Sequence, residues 1–357
     1  MTLLTLMILT QNSSQKNGDT MKKKVFVPPI KSQGIKTKMV PWIDSIVENR
    51  DFEVWIEPFM GTGVVGFNIS AKKSICGDTN PHIINFYQEL QKGAIDSKIV
   101  KKFLQKEGQI LLDTEGEHYY KVRERFNEKH NPLDFLFLSR SCFNGMMRFN
   151  KKGGYNVPFC KKPNRFAQAL VTKISNQVER ISYVIGKGDF EFKNQDFDES
   201  IKEAGSNDLI YCDPPYLGRN VDYFDSWSEE NELNLYNSLN ESKASFLVST
   251  WLVNKYRKNE YIFSLWNDMN IDFNEHFYHV GGKESNRNAV YEAVLSNFDS
   301  DNFVAVEDVM TKIGDFKKDE GIITEYSVED NQLRLFLDSN KSDYGYRKQP
   351  VLFSVID

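Results

Sequence analysis

The chain has 357 residues, 40% of them hydrophobic, and a formal net charge of −5. That length exceeds one typical domain, so one large domain with an insertion, or two domains, is expected. No apolar run approaches a membrane span, and the slightly acidic balance does not advertise a nucleic-acid binder.

The opening MTLLTLMILT is apolar but short, and lacks a basic n-region and a small-residue cleavage site, so it does not read as a signal peptide. The polar QNSSQKNGDT extends it into a flexible leader, residues 1–24. Met21, heading MKKKVFVPP, reads as an internal start, and a chain beginning there is expected to behave like the full one. Met21 to Lys38 holds six lysines and no acid. Glu53 to Ile56, then Pro58, Gly61 and Gly63, predicts strand, tight loop, helix. Ser74 to Gly77, ending at Asp78, predicts the next strand. From Pro81 to about Tyr183 the patterning is helical, as in HIINFYQEL and GEHYYKVRERFNEKH. NGMMRFNKKGGYNVPFCKKP interrupts it, with Gly and Asn runs between alternating aromatics that suggest a β-hairpin. Arg148 to Arg165 carries six Lys or Arg and no acid. Strands resume at Phe190–Phe192, Leu209–Cys212, Ser245–Ser249, Asn274–Val280 and Ala289–Leu295, with helical SEENELNLYNSLNES among them.

Strands alternating with helices predict an α/β fold with a doubly wound, mostly parallel sheet. The helical block predicts an inserted lobe. The expected division is a sheet domain of 25–87 and 184–298, a lobe of 88–183, and an extension of 299–357 that carries no motif. Cys76, Cys142, Cys160 and Cys212 are far apart with no C-x-x-C pair. Neither a zinc site nor a disulfide framework is expected, and a reducing, cytoplasmic setting fits. The five histidines show no H-E-x-x-H spacing.

Three stretches carry chemistry. In EPFMGTGVVGFN, Gly61, Gly63 and Gly66 fit G-x-G-x-x-G after a strand, where backbone can approach a ligand. In CGDTNPHI, Asp78 ends the next strand, where an acid commonly accepts from ribose hydroxyls. Together they suggest a nucleoside ligand. DLIYCDPPYLG ends a buried strand on Asp213, Pro214, Pro215 and Tyr216. The prolines stop the strand and stiffen its exit. The amino nitrogen of adenine is a poor nucleophile because its lone pair is delocalised into the ring. Acceptors from Asp213 and the Pro214 carbonyl would hold its two N–H bonds and aim the lone pair at the methyl of a sulfonium donor. Tyr216 would stack on a base flipped out of the duplex.

These residues resemble the DNA adenine methyltransferases of the Dam-like family, over roughly Pro28 to Asn297. SCFNGMMRFNKKGGYNVPF is the most specific match, joined by EPFMGTGVVGFN, DPPY, NQDF, IKSQGIK and EAVLSN. The resemblance implies a Rossmann-like methyltransferase sheet and S-adenosylmethionine as cofactor. It places donor contacts at Lys36, Glu57, Pro58, Phe59, Gly61, Gly63, Asp78, Asn80, Asp196, Phe197 and Asp213. It implies a catalytic tetrad of Asp213, Pro214, Pro215 and Tyr216, no metal, and a monomer. It also implies that the lobe reads double-stranded DNA. Lys151, Lys152, Lys161, Lys162 and Arg165 would neutralise phosphates, and Arg148 would reach a guanine edge. Phe149 would wedge into the stack, with Asn144, Asn150 and Asn156 beside it. Ser32 and Ile35 stand where the family has Trp and a second Gly, Phe149 where it often has Tyr, and Ser249-Thr250 where Ser-Asn is more usual.

Plainer readings stand beside these. Phe149 could be a core aromatic under the hairpin, the lysines a solvated face, and Asp78 and Asp196 helix N-caps. YHVGGKESNRN reads equally as a phosphate-contacting loop or a turn. Cys142, Cys160 and Cys212 lack a preceding Pro, which sets aside cytosine C(5) methylation. Methylation of cytosine N(4) or of an RNA or protein amino group remains an alternative, as does a DNA-binding module without turnover. Pairing with a restriction endonuclease is open.

Overall fold

All four residues of Leu209-Ile210-Tyr211-Cys212 are buried, and the sheet explains why. The computed structural model describes residues 24–150, 152–217, 227–254, 257–279, 287–319, 325–329 and 331–336. The leader before Lys24 and Lys151 therefore lie outside the described residues, as does most of the loop in YHVGGKESNRN.

The first helix, α1, is Val40–Val47. Strands β1 (Val54–Glu57), β2 (Lys73–Asp78), β3 (Asp189–Asn194), β4 (Leu209–Cys212) and β5 (Ser245–Asn254) run parallel. Strands β6 (Asn270–His279), β7 (Arg287–Ser296) and the short β8 (Val304–Ala305) join antiparallel, in the order β3-β2-β1-β4-β5-β7-β6-β8. The order reverses beside β1, and ligands bind at such switch points, outside the carboxyl ends of the strands.

Both faces of the sheet are covered, so its strands are apolar on both sides. Trp55, Leu209, Tyr211 and Leu247 pack against Ile43 and Val47 of α1. Ile56, Ile210, Cys212, Phe246 and Val248 face the other way. They meet Ile201 of α7 (Phe197–Lys202) and Leu235 and Leu239 of α8 (Glu229–Glu241).

Helix α2 (Pro81–Gln91) follows β2, and α3 (Ser97–Asp113), α4 (His118–Lys129), α5 (Pro132–Ser141) and α6 (Gln168–Lys187) precede β3. Their core is continuous with the β2–β3 end of the sheet, running from Phe67 and Cys76 to Ile181. Arg125 of α4 donates to Asp134 of α5 and Glu107 of α3, which ties three helices together. Several described residues past 299 also join the core. Val309, Met310 and Ile313 of α10 (Val309–Asp319) pack with Ile271 and Ala293, after the five-residue α9 (Glu260–Ser264). Strands β9 (Glu325–Glu329) and β10 (Gln332–Phe336) form a separate antiparallel pair, from which Leu333 joins that cluster.

Two expectations need correction. The glycine loop does not lead into a regular helix: residues 61–69 form irregular turns. Gly63 has φ +75°, and Asn68 turns its side chain onto the Val64 carbonyl and the Phe26 backbone, which competes with helical bonding. The basic stretch doubles back on itself without a continuous ladder among the described residues. Single bridges, Cys142 with Phe159 and Phe149 with Tyr155, hold it.

Candidate active site

A cavity of about 610 Å³ opens at the carboxyl ends of β1, β2 and β4. It gathers Lys36, Glu57, Pro58, Phe59, Gly61, Asp78, Asn80, Asp196, Phe197, Asp213, Pro214, Pro215 and Tyr216. Of the expected donor contacts only Gly63 is not among its lining residues. A Cβ there would sit 2.4 Å from Phe67, so Gly63 shapes the loop from behind.

Asp78 is not the cap of the following helix, because Asn80 is. Instead its Oδ2 accepts from the Gly61 N–H at 2.8 Å and its Oδ1 from the Asn80 N–H at 2.8 Å. The carboxylate thus joins the glycine loop to the end of β2. Asp196 does cap α7, accepting from the Asp198 N–H, and it lines the cavity as well. Phe59 stacks on Phe197 at 5.4 Å and 22°, with Trp227 edge-on to Phe59 at 5.5 Å. These rings pack against one another and wall one side of an apolar slot in the cavity, where a planar heterocycle can lie. Trp227 was not evident from sequence, since it follows the DPPY turn without any motif of its own.

Glu57 is 2% exposed and accepts from the Trp55 indole N–H at 3.3 Å. A Cβ on Gly66 would lie 2.4 Å from its carboxyl, so the third glycine of the fingerprint makes room for an acid. Burial pushes this carboxyl up to about 8 from an ordinary value of 4.5. The folded protein therefore keeps a proton that the unfolded chain gives up. The associated stability is present below about pH 4.5 and lost as pH rises towards 8. Glu57→Gln is expected to flatten that decline, by an amount on the order of 5 kcal/mol at most from linkage. Urea melts across this pH range check it, and an unchanged slope would mean that the folded carboxyl is ionised.

At the end of β4, Asp213 Oδ1 lies 2.7 Å from the Lys36 ammonium. Burial raises the Asp213 carboxyl above its ordinary value, Lys36 pulls it back, and Glu292 pushes it up again. Lys36 also sits 4.7 Å from the centre of the Tyr216 ring. The Tyr216 hydroxyl donates to Glu292 Oε2 at 2.6 Å, and Glu292 is buried on β7. Sequence reasoning placed EAVLSN only as a closing strand. The sole hint was an acid in a strand that is otherwise apolar.

The basic stretch reaches the cavity through Met147, whose sulfur accepts from the Asn80 amide at 3.3 Å. Phe149 is 9% exposed, stacked on His82 at 5.2 Å and 19°, and edge-on to Tyr155. In this structure the ring packs within an aromatic cluster, as the core reading expects. Arg148 donates to the Asn156 amide oxygen at 2.8 Å, and Arg165 to the Arg140 carbonyl at 2.6 Å, both half-buried. Asn150 closes the turn by accepting from the Lys152 and Gly154 N–H groups. Asn144, Lys152, Lys161 and Lys162 are exposed.

At its switch point the sheet presents a cavity into which the Asp213-Pro214 turn, Asp78 and Asp196 all open. Sequence comparison supplies the class. The chain belongs to the D12 class N6 adenine-specific DNA methyltransferase family, whose model matches residues 32–286. It is similar to the type II methyltransferase M.FokI of Planomicrobium okeanokoites, at 26% identity over 76% of this chain and 42% of that one. It is similar to the type II methyltransferase M1.LlaDCHI of Lactococcus lactis subsp. cremoris, at 26% identity over 78% of this chain and 98% of that one. A DNA adenine methylase of Vibrio cholerae is 32% identical over 45% of this chain and 55% of its own length. The chain thus spans less than half the length of M.FokI. Among the described residues no helix is long and apolar enough to cross a membrane.

Proposed function

We propose that the chain transfers a methyl group from S-adenosylmethionine to the exocyclic amino group of adenine in double-stranded DNA. One observation carries this reading. The Asp213-Pro214 turn opens into the same cavity as the glycine loop, Asp78 and Asp196. The lining fits the donor. The slot of Phe59, Phe197 and Trp227 suits its adenine, Asp78 and Asp196 its hydroxyls and ring amine, and Lys36 its carboxylate. When bound, the donor supplies an electrophilic methyl on a sulfonium.

The chain's own groups do the rest. Asp213 and the Pro214 carbonyl accept the two N–H bonds of the target amino group. That draws the nitrogen lone pair out of conjugation with the ring. The Asp213 carboxylate then stabilises the positive charge that develops on nitrogen, in a setting fixed before the reaction begins. Tyr216, its hydroxyl held by Glu292, offers a ring face to a flipped base.

Residues 88–183 are assigned as the target-recognition lobe, with Lys152, Lys161 and Lys162 on phosphates. Changing these three to Ala is expected to weaken binding to every duplex. It should also flatten the dependence on salt by a slope of roughly one per lost contact. Loss confined to the target site would make them base readers instead.

Sequencing of methylated adenines in DNA from cells expressing the chain tests the function and returns the recognition sequence. Nucleoside analysis of the product separates N6-methyladenine from N4-methylcytosine. Some relatives carry type II methyltransferase names and others DNA adenine methylase names, so the chain is assigned either as the modification partner of a restriction endonuclease or as a Dam-like methylase without one. Methylation that protects DNA from one co-encoded nuclease checks this.

A further inference from the structure

The Lys36 ammonium is 2.7 Å from Asp213 and lies over the face of Tyr216. Those are the two groups assigned above to the incoming amino group and its base. A positively charged nitrogen therefore already stands where the target nitrogen has to be. Lys36 is 7% exposed and its ammonium pairs with Asp213, so parting the two within the site is costly unless the ammonium meets another anion there.

Two of the cavity's own acids are poor candidates. Glu57 is held in its proton-bearing form by burial, and Asp78 is already engaged by the Gly61 and Asn80 N–H groups. Lys36 is also the only cation among the described residues that line the cavity, against Glu57, Asp78, Asp196 and Asp213. An amino-acid-tailed sulfonium brings a carboxylate into this cavity, and that carboxylate finds one ammonium to pair with.

We propose that Lys36 is a latch on the acceptor subsite: it blocks Asp213 and Tyr216 until the donor's carboxylate draws it away. This rests on the function proposed above. It orders the reaction, donor first and base second. It also makes the two sites cooperative, because a ligand that removes Lys36 from Asp213 lowers the free energy of seating the base, and the reverse holds equally.

The test uses the recognition sequence found by sequencing, with 2-aminopurine in place of the target adenine, so that fluorescence reports the flipped base. In the unaltered protein, S-adenosylhomocysteine is expected to raise affinity for the flipped base about 10-fold, within the usual range for coupled sites. The analogue 5′-methylthioadenosine fills the nucleoside slot but has no carboxylate, and should raise it little. Lys36→Met is expected to flip the base without any ligand, and to lose the difference between the two ligands. Equal flipping with both ligands in the unaltered protein overturns the latch, and that comparison needs no variant. So does a Lys36→Met protein that flips no better than the unaltered one in the absence of ligand. If no methylated adenine is found at the outset, the proposed function fails, and that failure is separate from failure of the latch.

Discussion

Asp213→Ala is expected to lower single-turnover methyl transfer at saturating donor by about 10²–10³-fold, the loss typical of one preorganised charge-stabilising group. Donor affinity should hold or improve slightly. The donor rests on the glycine loop, Asp78 and the aromatic slot, and the change frees Lys36 to meet the donor's carboxylate. Base flipping should persist, because Tyr216 keeps its ring and its bond to Glu292. Donor affinity by calorimetry and a rapid-quench transfer assay separate these effects. Transfer near the unaltered rate would reduce Asp-Pro-Pro-Tyr to a stiff strand end.

The opposite pattern is expected of Asp78→Ala. Its carboxylate accepts two backbone N–H bonds, and removing it leaves Gly61 and Asn80 without that partner. Hydrogen bonds to a charged group contribute about 1.5–3 kcal/mol, so donor binding should weaken by about 10–100-fold. Transfer should be largely recovered at high donor concentration, since nothing at Asp213 has changed. Asp78→Asn, which keeps one good acceptor, should fall between. An Asp78→Ala protein with unchanged donor affinity but slow transfer would move Asp78 from the donor site to the chemistry.

Glu57→Gln separates a structural role from a ligand role at the same cavity. Its readout is stability against pH between about 4.5 and 8. The three variants therefore report on a buried acid beneath the loop, a loop anchor and the reacting end, within one cavity.

Much of this was legible in the sequence because its causes are local. Pro214 and Pro215 end a strand wherever they occur, since they have no N–H to donate. Leu209–Cys212 and Ser74–Gly77 are apolar runs closed by an acid, and they became β4 and the middle of β2. The parallel sheet followed from strands and helices in alternation, and the cavity from the acids at the strand ends. The regular helix expected after Gly63 did not form. The competing Asn68 side chain reaches back to Phe26, a contact no local pattern announces.

What tertiary structure alone decided are the pairings between distant residues. The composition around Phe149 suits a DNA wedge as well as a core ring, and only the fold puts it against His82 and Tyr155. Glu292 is one acid in an apolar strand until the fold brings Tyr216, 76 residues away, onto its carboxylate. Lys36 is one of six lysines between Met21 and Lys38, and only the fold selects it to face Asp213. Sequence pattern settles what depends on the backbone's own preferences over a few residues. Burial and ion pairing depend on which surfaces the packed sheet and helices bring together, so they could be read only from the folded chain.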